Sequence, residues 1–78
     1  MSLDEASRQL ELAIHDARVA FDCIALDELD RAHTSAITAR AAVDAAEYAI
    51  RVEVERRAGE KDSGAAGAAP EPQEEPRG

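Results

Sequence analysis

The sequence predicts an all-α protein, an antiparallel hairpin of two long helices, and three observations carry that reading. Its first 58 residues contain neither Gly nor Pro, and Ala, Leu, Glu and Arg dominate them. Those residue types lose little side-chain freedom in a helix. Two apolar stripes of helical period also run through this stretch, in different registers.

The first helix is expected over about residues 3–29. Ser2 and Glu5 have the spacing of a capping box, in which the hydroxyl accepts from the amide of Glu5 and the carboxylate returns to the amide of Ser2. Leu10, Ile14, Ala17, Phe21 and Ile24 recur at steps of four and three, so they form the expected hairpin core. Continued forward, that register meets Glu28, Arg31, Ser35 and Thr38, and the stripe ends. A turn is therefore expected at about 30–34, with Asp30, Thr34 and Ser35 as N-cap residues. One long helix is the competing arrangement, because no Gly or Pro marks the turn and Asp27 with Arg31 forms an i, i+4 pair across it.

The second helix is expected over about 35–58, with Arg56 and Arg57 at its negative end and Gly59 as the left-handed residue that stops it. Residues 59–78 hold all four Gly and all three Pro, and Ala is their one hydrophobic type, so they read as a disordered acidic tail. The formal net charge of −8 divides unevenly: residues 1–29 carry −5, residues 30–57 carry 0 and residues 58–78 carry −3. Antiparallel pairing would set Asp4 and Glu5 beside Arg56 and Arg57.

A chain of 78 residues allows one small domain, and 18 of its 35 hydrophobic residues are Ala. A core that thin needs a disulfide, a metal or a partner. A single Cys excludes an intrachain disulfide, and two separated His exclude an ordinary four-ligand zinc site. Association remains, and a homodimer completing a four-helix bundle is its simplest form. The second helix is apolar or small around most of its circumference, so Ile37, Val43, Ala46, Tyr48, Ile50, Val52 and Val54 are expected at an oligomer interface. Leu12, Val19 and Leu26, seven residues apart between charged neighbours, form a further ridge for a partner.

The chemistry-bearing residues predict no enzyme. Glu11 with His15 and Asp30 with His33 could each share a helix face, but the two His lie about 27 Å apart along a continuous helix and cannot meet within one chain. Cys23 stands beside Asp22, and a neighbouring anion disfavours the thiolate a nucleophile needs. No phosphate loop or dinucleotide fingerprint is present, and no cofactor is expected. A single Lys, no aromatic platform and the acidic balance disfavour nucleic acid. No apolar stretch reaches the length of a membrane span, and an acidic N-terminus is unlike a secretory signal, so a soluble cytoplasmic protein is expected. The function that follows is protein–protein interaction or assembly, as adaptor or accessory module, with itself or another helical protein as partner. Two alternatives are an acidic inhibitor, antitoxin-like protein or nucleic-acid mimic that neutralises a basic partner, and a helical-bundle metal-binding protein.

Overall fold

The computed structural model describes residues 2–64, and the side chains of residues 2–60. Two helices form an antiparallel hairpin: α1 is Leu3–Ala25 and α2 is Leu29–Gly64. No strand occurs among the described residues. Of the tail expected at residues 59–78, residues 59–64 continue α2 and residues 65–78 lie outside the described residues.

Ser2 caps α1 as expected from its position: its backbone is extended and its hydroxyl accepts from the amide of Glu5 at 3.2 Å. The reciprocal half of the box is replaced, because the Glu5 carboxylate turns along the helix to Arg8 and to Gln9, the latter at 2.9 Å. The turn is three residues, 26–28, earlier than the 30–34 read from the sequence. It is a Schellman motif. The Glu28 amide donates to the Cys23 carbonyl at 2.8 Å, and the Asp27 amide donates to that of Ile24 at 3.0 Å. This geometry places Asp27 in the left-handed region, with φ 60°. Asp reaches that region more readily than most residues, which is how a turn forms here without Gly.

Helix α2 starts at once, its first bond running from the Ala32 amide to the Glu28 carbonyl at 3.0 Å. Asp30, Thr34 and Ser35 are therefore inside the helix rather than capping it, and Arg31 pairs with Glu28 instead of Asp27. The helix also continues through Gly59 to Gly64. Gly59 has open space around it and a negative or extended φ, so it is a tolerated helical residue and not a stop. At 36 residues α2 outlasts the 23-residue α1, where the sequence suggested matched lengths.

The helices meet through small side chains. The seam residues, buried or half-buried, are Ala6, Gln9, Ala13, Asp16, Ala20 and Cys23 on α1 and Ala32, Ser35, Ala39, Ala42, Ala46, Ala49 and Glu53 on α2, with Glu5, Val19, Ala45 and Val52 half-buried beside them. Both series alternate steps of three and four, the period of an antiparallel coiled-coil seam. Every buried residue is Ala or Cys, and Ala6, Ala46 and Ala49 form the tightest cluster, with Ala49 at 0% exposure. The expected hairpin core is corrected here: Leu10, Ile14, Ala17, Phe21 and Ile24 are all exposed. The seam is their register shifted by one residue, a rotation of about 100°. Ala46, expected at an oligomer interface, instead belongs to this seam.

The molecule is consequently one helical layer, 59 by 25 by 13 Å. Charge does not choose its orientation. Among the described residues, no Arg–carboxylate pair joins the two helices: Arg31 binds Glu28 of the turn, the others lie within one helix, and Arg56 binds Glu53 and Glu60 rather than Asp4 or Glu5.

Two outcomes test this account in urea melts. Asp27→Gly should stabilise the fold by up to about 1 kcal/mol by removing left-handed strain, whereas Asp27→Val should cost about 1–2 kcal/mol. Ala49→Leu should cost about 1–3 kcal/mol by forcing the helices apart, while Ala41→Leu on the exposed surface stays near neutral.

Candidate interaction faces

A seam built from Ala leaves the large apolar residues nowhere inside the hairpin. Of the fifteen Leu, Ile, Val, Phe and Tyr residues, thirteen are exposed and Val19 and Val52 are half-buried. They are not scattered. Because the helices lie side by side, the residues flanking the seam fall on the two opposite faces of a flat layer.

One face carries Leu3, Leu10, Ala17 and Ile24 from α1 beside Leu29, Ala36, Val43 and Ile50 from α2, each column stepping by seven residues. Ile14, Phe21 and Val54 extend it outward. Leu10, Val43, Ala46 and Ile50 line a shallow apolar depression on this face, with Glu47 and Arg51 at its rim. The opposite face carries Glu5, Leu12, Val19 and Leu26 beside Arg31, Thr38, Ala45 and Val52, with Tyr48 next to them. It is apolar in patches only. The structure thus divides the residues expected at one interface, setting Val43, Ile50 and Val54 apart from Tyr48 and Val52; Ile37 sits on the outer edge of α2.

The groups with chemical potential stay separate. His15 meets only Asp16, at 3.2 Å, and both His are exposed. Cys23 is a buried free thiol in the seam near the turn. Among the described residues no group of three or more His, Cys, Asp or Glu is placed to hold a metal ion. No helix among them is long and apolar enough to cross a membrane. Arg51 lies over the Tyr48 ring at 5.2 Å while bonding Glu47 at 3.1 Å, which fixes the rim of the second helix.

The strongest electrostatic feature is at the end of the hairpin opposite the turn. Hydrogen bonds from Arg56 and Arg57 hold the Glu53 carboxyl down at about 2. Hydrogen bonds from Gln9 and Arg8 likewise lower that of Glu5. Both acids prefer ionisation in the folded chain, so their contribution is present above the ordinary carboxylate range and is lost as pH falls. Lowering pH from about 4.5 towards 2 should therefore reduce the melting temperature, and Glu53→Gln should flatten part of that slope.

The missed feature is the Ala seam of α1. Its signal was present in the sequence as Ala6, Ala13 and Ala20, seven residues apart, but a search for large apolar residues passes over it. Comparison with family models, with curated proteins and with solved structures finds no match to this chain.

Proposed function

We propose that this chain is a non-enzymatic helical association module, working in assembly or as an adaptor, whose hairpin is half of a four-helix bundle completed by a second copy. The observation that carries the reading is the inversion of burial: Ala occupies the seam while none of the fifteen large apolar side chains is buried. Burying one such side chain is worth roughly 1.5–3 kcal/mol, against about 0.8 kcal/mol for a methylene-sized group, so a large part of the apolar driving force in the sequence is unspent in one hairpin. Apolar surface that runs continuously along one side of a layer favours covering by other helices. A dimer is the simplest covering, since it needs no component beyond the chain itself.

Sedimentation of the full chain tests the reading directly. A dimer mass is expected at micromolar concentration, with a melting temperature that rises as protein is added, because association stabilises the folded state by mass action. A folded monomer whose melting temperature is independent of concentration would overturn it.

A further inference from the structure

Resting on that reading, we infer that the second copy docks on one face only, the face of Leu10, Phe21 and Val43, in an isologous stack. Two observations carry this: continuity selects the face, and area makes one face enough.

The first is continuity. Ala6 clusters with Ala46 and Ala49, and that register sets Leu3 level with Ile50, Leu10 with Val43, Ala17 with Ala36 and Ile24 with Leu29. All four rows are apolar. On the opposite face the corresponding columns contain Glu5, Arg31 and Thr38, so burying it would desolvate Glu5 and Arg31 together with the exposed ion pairs they form with Arg8 and Glu28.

The second is area. Over the length of α1, about 35 Å, two helices side by side, each about 10–12 Å across with side chains, present about 700–800 Å². Stable interfaces bury about 800 Å² per partner, so a dimer needs only one face of the hairpin.

Sedimentation of Phe21→Glu, Leu10→Glu and Leu12→Glu tests the inference, each variant adding the same charge at an exposed site away from the seam. Phe21→Glu and Leu10→Glu should weaken the dimer about thirty-fold or more, the effect of losing a central anchor, while retaining the hairpin's helicity by circular dichroism or dissociating into unfolded monomer. Leu12→Glu, on the opposite face, should stay within a few-fold of the parent. Dissociation by Leu12→Glu as large as that by Phe21→Glu would overturn the choice of face and leave the dimer itself standing. A parent chain that never dimerises would remove the dimer reading along with it.

Discussion

Close contact between two helices through alanine is the constraint on which the rest of this structure depends. Small side chains at steps of three and four let the backbones of α1 and α2 approach along the full length of α1, from Ala6 beside Ala49 to Cys23 near the turn. Each residue along the seam contributes little apolar surface, so the contact is long rather than deep. Its consequence is geometric. Side chains too large for the seam are displaced to its flanks, and a pair of helices side by side has two flanks. The hairpin becomes a thin layer with apolar residues on both sides, which is an incomplete solution to the problem of burying them.

This arrangement gives the alanine content two different meanings. Ala6, Ala13, Ala20, Ala42, Ala46 and Ala49 are seam residues and are buried, whereas Ala17 and Ala36 lie on the surface at the lowest point of the face. A stripe of Ala is ordinarily read as helix-favouring filler. Here it sets the distance between the helices, and that distance decides which residues remain for a second layer. The ion pairs play a smaller part: those with Arg run along a single helix and are exposed at one or both partners, so they support local helix formation and leave the choice of neighbour to apolar contact.

Much of the local structure was legible beforehand. The absence of Gly and Pro before residue 59, the Ser2 cap and the break in apolar register together implied two helices with a turn between them. Two local features differ from the sequence expectation. Gly59 continues the helix it is expected to stop, because an uncrowded Gly with ordinary φ is tolerated there. Asp27 falls inside the expected first helix, because the apolar register breaks only after it, yet the three-residue connection needs a residue there that reaches positive φ. In each case the local preference was weak enough for its surroundings to override it.

The sequence by itself determined the fold class, the helical content and the division into an acidic first helix and a neutral second one, because propensity, capping and charge act over a few residues. It also determined that small side chains would dominate the apolar residues, since 18 of the 35 are Ala. Only the tertiary structure decided which register faced inward. Leu10, Ile14, Phe21 and Ile24 have a helical period as good as that of Ala13, Ala20 and Cys23 one residue away, and periodicity cannot rank two stripes on the same helix. What ranks them is the surface presented by the other helix. Helix α2 offers a continuous column of small residues against which Ala fits closely and Phe does not, and that comparison exists only once the chain has turned back on itself.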